Sequence, residues 1–169
     1  MIHCGIPVLN PSSVQDYLDL GLYGWALSRY SGCWIGFKCL TDTIESSGSV
    51  VVAPDRVRIA MPTDYEPPAS GLHIGWANYP LQVEERLYEH RLAAVRAFAR
   101  ANPLDRIVVE GARRRLGIVT TGKAYGDLRQ ALEDLGLSEA RLRELGISIY
   151  KVGLSWPLEP DRLRAFASG

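Results

Sequence analysis

Cysteine and histidine, the side chains that most often bind transition metals, are scarce in this chain, with three of each among its 169 residues. The cysteines (Cys4, Cys33 and Cys39) include no Cys-x-x-Cys pair, and the histidines lack the spacing of metal ligands. An odd number of unpaired cysteines excludes a disulfide framework and a zinc ribbon as the organising element. We therefore predict no metal ligand in this chain.

An excess of charge of either sign is also absent, since 19 Lys and Arg residues balance 19 Asp and Glu residues. A neutral chain lacks the basic surface that nucleic acid or an anionic membrane requires. No apolar run reaches the roughly 18 residues that suggest a membrane span, and no signal-peptide pattern is present. We expect a globular protein of the cytoplasm, without nucleic-acid or membrane partners.

The motifs of a complete enzyme are missing as well. No carboxylate pair, metal cluster or Ser-His-Asp pattern is present. Ser12 and Ser13 lack the Gly-x-Ser-x-Gly elbow of a serine nucleophile, and capping of the following helix explains Ser13 more simply. The sequence therefore predicts no catalytic residue.

Periodicity predicts several elements in the first two thirds of the chain. Ser13 and Gly32 bracket a helix over residues 14–30. The apolar stripe that should form its inner face comprises Val14, Tyr17, Leu18, Gly21, Leu22, Trp25 and Ala26. Further predictions are a short strand at 6–9, a covered strand at 34–40, strands at 49–53 and 57–61, and an amphipathic helix at 81–101.

The last third has the pattern of an α/β protein. The strand at 116–120 leads through a turn into a helix, and a second apolar strand follows at 147–152. Another short strand precedes this unit at 107–109, and Glu159-Pro160 begins a further helix. An open sheet of this type needs about five strands. The pattern therefore indicates a fragment of a larger domain.

The turn formed by Thr121, Gly122 and Lys123 lies where such sheets often bind phosphate. The segment matches neither G-x-G-x-x-G nor the P-loop motif. A structural turn and an anion site therefore remain alternative interpretations.

Three segments resemble the fused, single-chain indolepyruvate ferredoxin oxidoreductases of bacteria: residues 4–38, 116–132 and 151–160. Within the first of them, Ser13-Val-Gln-Asp16 is similar to a Ser-Val-Gln-Glu element of related 2-oxoacid:ferredoxin oxidoreductases. The resemblance implies an α/β fold in which residues 1–62 close a thiamine pyrimidine-binding domain. Residues 63–103 would be a connection with a helix, and residues 104–169 would open a transketolase-C-terminal-like, Rossmann-like domain with three αβα layers.

The resemblance also implies a function for the parent enzyme. Enzymes of this type use thiamine diphosphate, magnesium, iron–sulfur clusters and coenzyme A to decarboxylate an aryl 2-oxoacid oxidatively, with electrons passing to ferredoxin. This chain lacks the family's Gly-Asp-Gly element and its cysteine clusters. We therefore expect the isolated chain to be inactive, with Asn10, Ser12 and Ser13 as neighbours of the pocket.

Two alternatives stay open at this stage. One is a non-enzymatic Rossmann-like module that binds a small anion or nucleotide at residues 121–123. The other is a structural or interaction domain. A fragment with few strands leaves sheet edges uncovered, and this predicts self-association into a homo-oligomer.

Overall fold

Strands of two sheets alternate with helices along residues 1–73 and 79–169, the part of the chain that this computed structural model describes. The strands are β1 (Val8–Leu9), β2 (Gly36–Phe37), β3 (Arg106–Val109), β4 (Leu116–Thr121), β5 (Ile147–Val152) and β6 (Leu154–Trp156). The helices are α1 (Val14–Ser31), α2 (Thr41–Ile44), α3 (Pro80–Glu85), α4 (Leu92–Ala101), α5 (Lys123–Asp134), α6 (Glu139–Leu145) and α7 (Pro160–Ser168). A 3₁₀ turn covers Ile2–Cys4, and a π-helical segment, Arg86–Arg91, joins α3 to α4. The predicted α/β class is confirmed.

Helix α1 begins at the predicted residue and ends at Ser31, one residue beyond the predicted end. The Ser13 hydroxyl accepts a hydrogen bond from the Asp16 amide at 3.2 Å, and Gly32 ends the helix with φ of 72°. The predicted inner face is wrong, because the helix buries Leu20, Tyr23 and Leu27 instead. Trp25 of the predicted stripe is 69% exposed. The helix carries apolar side chains on more than one of its sides, so the sequence pattern alone does not determine which side faces the core.

Three strand predictions in the first half fail in whole or in part. Of residues 34–40 only β2 is a strand, and Trp34 is 82% exposed rather than covered. The predicted strands at 49–53 and 57–61 are irregular, and Val52 is 83% exposed. Most residues of the two irregular segments are exposed, so their high β-propensity gains little from packing, on which it depends. The helix predicted at 81–101 is confirmed, with Val95 and Phe98 buried.

The second sheet has the strand order β3-β5-β4 and contains the predicted βαβ unit. Strand β4 pairs in parallel with β5, and α5 and α6 lie between them in the chain. Strand β3 adds an antiparallel partner on the other side of β5. Ile149 packs against residues of α5 and α6, whereas Tyr150 packs against Phe166 of α7. Helices therefore cover both faces of this sheet.

A single glycine, Gly153, separates the last strand of the second sheet from a strand of the first. The first sheet has the order β2-β1-β6, and Gly153 separates β6 from β5 of the second sheet. A Cβ at Gly153 would overlap the backbone carbonyl of Leu104, so only glycine allows this approach. The buried Asp105 carboxylate accepts hydrogen bonds from the amides of Gly153 (2.8 Å) and Leu154 (3.0 Å). Because β1 pairs with β6, residues near the two ends of the chain are in contact. The domain boundaries at residues 62 and 104 stay a prediction.

Candidate functional site

The structure brings the two separately predicted candidate sites together. The side-chain amide of Asn10, after β1, donates a hydrogen bond to the Thr121 hydroxyl at 3.1 Å. That hydroxyl donates in turn to the Val152 carbonyl at 2.8 Å. Because the hydroxyl proton is used, the amide of Asn10 must present its NH₂ group to Thr121. The Asn10 Oδ1 atom is then buried without a hydrogen-bond partner among the described residues.

Gly122 is required at this contact by both its backbone and its surroundings. Its φ of 53° and ψ of −138° lie in a region that side chains disfavour. A Cβ on Gly122 would lie 2.6 Å from Cγ of Asn10, far inside van der Waals contact. The Asn10 amide therefore occupies the space in front of the turn that begins α5.

Lys123, the cation of the hypothetical anion site, is already paired with carboxylates. Its Nζ atom lies 2.7 Å from Oδ1 of Asp127 and 3.8 Å from Oδ2 of Asp42. The hydrogen bond to Asp127 raises the pKa of Lys123 above its ordinary value, with Asp42 adding to the effect. An anion at residues 121–123 would have to compete with both carboxylates and with the oxygen of Asn10. Anion binding at this turn stays a prediction, and this geometry does not favour it.

The hydroxyls of Ser12 and Ser13 both serve the start of α1. Ser13 caps the helix, as described above. The carboxylate of Asp16 accepts hydrogen bonds from the Ser12 hydroxyl at 2.6 Å and the Ser12 amide at 2.9 Å. In a regular capping box the carboxylate would instead accept a hydrogen bond from the amide of Ser13, the residue that caps the helix. The Asp16 carboxylate thus binds Ser12, one residue before the cap, and fixes the segment between β1 and α1.

Asp16 also forms a buried ion pair that sequence reasoning missed. Lys151 of β5 lies 2.5 Å from Oδ2 of Asp16, and each residue is 6% exposed. The ammonium also lies 4.6 Å from the ring centre of Tyr125, a cation–π arrangement. A lysine inside an apolar strand was the available signal, because a buried lysine needs a charged partner. The sequence does not show which carboxylate that partner is.

Burial and pairing act in opposite directions on the charges of this pair. Burial tends to raise the pKa of Asp16, but the hydrogen bonds from Lys151 and Ser12 outweigh it and hold that pKa below its ordinary value. Burial lowers the pKa of Lys151, and Asp16 offsets part of the effect. The contact is therefore stabilising only while both partners are present.

A small polar cleft of about 180 Å³ opens beside this pair, between α1, the segment around residue 56, and the start of β3. Three cations and two carboxylates line it: Arg56, Arg106, Lys151, Asp16 and Asp19. Arg56 is bound by Asp19 at 2.9 Å. The cleft is thus lined by ion pairs, of which those of Asp16 with Lys151 and Arg106 connect α1 to the second sheet.

Metal-ligating groups are not assembled in the described residues. No group of three or more His, Cys, Asp or Glu side chains that could hold a metal ion occurs in residues 1–73 and 79–169. The thiols of Cys4, Cys33 and Cys39 are free. Within the same residues, no helix has both the length and the apolar character needed to cross a bilayer.

Comparison with known proteins identifies relatives of this chain. Residues 105–169 match the sequence model of the indolepyruvate ferredoxin oxidoreductase middle domain. The chain is 25% identical over 169 aligned residues to the indolepyruvate oxidoreductase subunit IorA of Methanothermobacter thermautotrophicus. The alignment covers 97% of this chain and 25% of that subunit. The chain therefore spans about a quarter of the length of this relative.

A solved structure shares the fold. The chain is similar to a 2-oxoglutarate:ferredoxin oxidoreductase from Magnetococcus marinus, with a TM-score of 0.54 and 17% sequence identity. The similarity covers 96% of this chain and 33% of the other. Together, these findings confirm the resemblance to a segment of the indolepyruvate ferredoxin oxidoreductases that the sequence predicts.

Proposed function

We propose that this chain is a structural segment of a thiamine-dependent 2-oxoacid:ferredoxin oxidoreductase, and that its role is to hold two domains of that enzyme together. The matched middle domain and the alignment with IorA support this proposal. The whole enzyme would decarboxylate an aryl 2-oxoacid oxidatively, form an acyl-CoA and pass electrons to ferredoxin. The similarity to an indolepyruvate oxidoreductase subunit supports the aryl substrate.

One observation carries the structural role: the buried contact between Asp16 and Lys151 joins α1 to β5 across 135 residues. The hydrogen bond from Asn10 to Thr121 and the pairing of β1 with β6 join the same two regions. Contacts of this kind fix two domains in one orientation, because breaking them exposes unpaired polar groups. A fixed orientation is what a multi-domain active site requires.

The cofactors of such an enzyme do not fit the residues of this chain. Iron–sulfur clusters are typically held by four cysteine thiolates, whereas this chain has three cysteines in total. The described residues offer no cluster of acidic or histidine ligands for magnesium, and Lys123 at the start of α5 is already paired with carboxylates. We propose that other parts of the enzyme hold thiamine diphosphate, magnesium, the clusters and coenzyme A.

The remainder of the enzyme is also the proposed partner of the exposed apolar face of α1. Leu22, Trp25 and the neighbouring Trp34 are all more than half exposed. Aromatic side chains of this kind are enriched in protein interfaces. Without that partner, the same face would favour association of the chain with itself.

We expect the purified 169-residue chain to be inactive with an aryl 2-oxoacid. The assay would supply indole-3-pyruvate, thiamine diphosphate, magnesium, coenzyme A and ferredoxin, and would measure both CO₂ release and ferredoxin reduction. A complete oxidoreductase assayed in parallel shows that the reagents are competent. Cofactor-dependent turnover by the chain alone would contradict the proposed structural role.

A further inference from the structure

An irregular segment follows α2 and contacts α1; we name it the strap and define it as residues 46–61. Every residue of the strap is among the described ones, and none of them belongs to a helix or a strand. None is buried, and only Val50 and Val57 are partly buried. A segment with so few buried apolar contacts detaches at a lower cost in free energy than the core does.

Two side-chain amides hold the strap near its ends. Gln15 of α1 accepts a hydrogen bond from the Val51 amide at 2.8 Å and donates one to the Val51 carbonyl at 3.3 Å. Asn102, which follows α4, makes the same two hydrogen bonds with Ala60, each at 2.9 Å. Each side chain therefore pairs with the strap as a neighbouring strand would, but at one residue only.

An ion pair and one valine hold the middle of the strap. The Nε atom of Arg56 donates to Oδ1 of Asp19 at 3.0 Å, and its Nη2 atom donates to Oδ2 at 2.9 Å. These two side chains are 35% and 20% exposed, so dissolved salt can screen their attraction. Val57 packs against the core cluster that contains Leu20 and Tyr23 of α1.

The middle of the strap forms one wall of the polar cleft of about 180 Å³ beside Asp16 and Lys151. Arg56 and Val57 line this cleft together with Leu20 and with the buried ion pair. Moving the strap away would remove that wall and would open the ion pair to solvent.

We propose that the strap is a movable cover of this cleft, which detaches from α1 as a unit while both sheets stay folded. The pair of Arg56 with Asp19 is its latch. Detachment breaks a few hydrogen bonds and one apolar contact, and it disrupts no strand pairing among the described residues. This device does not depend on the proposed role in an oxidoreductase, because every contact of the strap named above belongs to this chain.

Proteolysis of the folded 169-residue chain by thermolysin tests the cover. This protease cleaves before apolar residues, which include Val57 and Ile59 of the strap, and mass spectrometry identifies each cleavage site. We expect cleavage in the strap to be slower than in a free peptide of residues 46–61, because the closed strap is protected. Below the unfolding transition its rate should change little with urea, since local opening exposes little surface.

The latch is tested by a change on α1, outside the cleaved segment. Asp19→Asn should speed cleavage in the strap about fivefold, because it weakens the two charge-assisted hydrogen bonds. Added salt should speed cleavage of the wild type but not of Asp19→Asn, when each rate is divided by that of the free peptide in the same buffer. Glu144→Gln is the matched control, because it removes an exposed carboxylate of α6 that pairs with Arg141.

Three outcomes overturn the proposal. Cleavage as fast as in the free peptide would mean that the strap is not held closed. Cleavage that rises with urea in parallel with global unfolding would mean that the strap does not detach by itself. An unchanged rate in Asp19→Asn, or an equal salt effect in both proteins, would exclude the latch. If Asp19→Asn does not fold, Gln15→Ala replaces it: it removes both bonds to Val51 at a helix position that alanine favours, and should speed cleavage about threefold.

Discussion

Replacing Lys151 with methionine is expected to lower the free energy of unfolding by about 3–5 kcal/mol, the usual cost of removing one partner from a buried ion pair. The ammonium lies 2.5 Å from Asp16, and the exposed fraction of each residue is 6%. Methionine preserves the length of the side chain, so the change mainly leaves the Asp16 carboxylate buried without its closest cation. Urea denaturation followed by circular dichroism measures the effect.

Two further variants identify the cause of that loss. Lys123→Met removes an exposed lysine that also pairs with aspartate, and its unfolding midpoint should match the wild type because exposed pairs contribute little. Asp16→Asn combined with Lys151→Met removes both charges and should recover part of the stability. If the double variant is as unstable as the sum of the single changes, the ion pair is not the source of the effect.

The same pair predicts an acid dependence of stability. In the folded state the pKa of Asp16 is lowered, so below the unfolded value of about 3.9 the unfolded chain binds more protons than the folded one. The contribution of Asp16 is therefore complete above that pH and is lost as the pH falls through the folded pKa. In the Lys151→Met variant, burial of Asp16 is no longer offset by the lysine, and the loss of stability between pH 5 and pH 2 should be smaller. Unfolding curves at a series of pH values measure both slopes, and identical slopes in the two proteins would contradict this account.

Replacing Gly122 with alanine is the second change with a large expected effect. The backbone conformation costs a residue with a side chain about 1–3 kcal/mol. The new methyl group would also overlap the buried amide of Asn10, and forcing an extra carbon into a filled space typically costs a further 1–3 kcal/mol or so. The expected result is a loss of stability of several kcal/mol, measured by the same denaturation experiment.

Gly126→Ala is the matched control, since Gly126 lies in α5 four residues later and a Cβ there meets nothing within 4 Å. This change should stabilise the chain by about 0.5–1 kcal/mol, because alanine is the better helix former. Adding Asn10→Ala to Gly122→Ala should relieve the overlap but not the backbone cost. Wild-type stability in Gly122→Ala would mean that the turn does not hold the two regions as described.

Local patterns were sufficient to predict much of this fold. The limits of α1 follow from Ser13 and Gly32, whose side chain and backbone satisfy groups within the same helix. The βαβ unit of β4, α5, α6 and β5 is equally local, because one uninterrupted stretch of chain contains both paired strands and the helices between them. The strands expected at 49–53 and 57–61 failed because a strand needs a surface to pack on, and no local pattern shows whether that surface exists.

The candidate residues were found in the sequence, but their arrangement was not. Asn10, Ser12 and Ser13 came from the resemblance, and Thr121, Gly122 and Lys123 came from the turn after β4. The contact of Asn10 with the turn depends on a hydrogen bond to Thr121, 111 positions away in the chain.

The sequence by itself determined the α/β class, the capped helix α1, the βαβ unit and the resemblance to the indolepyruvate ferredoxin oxidoreductases. The tertiary structure alone decided which side of α1 is buried, that Gly153 carries the chain from one sheet to the other, and that Lys151 neutralises Asp16. The physical reason is the range of the interactions. Helix caps and strand periodicity act over a few residues, whereas the partner of a buried charge is chosen by the folding of the whole chain.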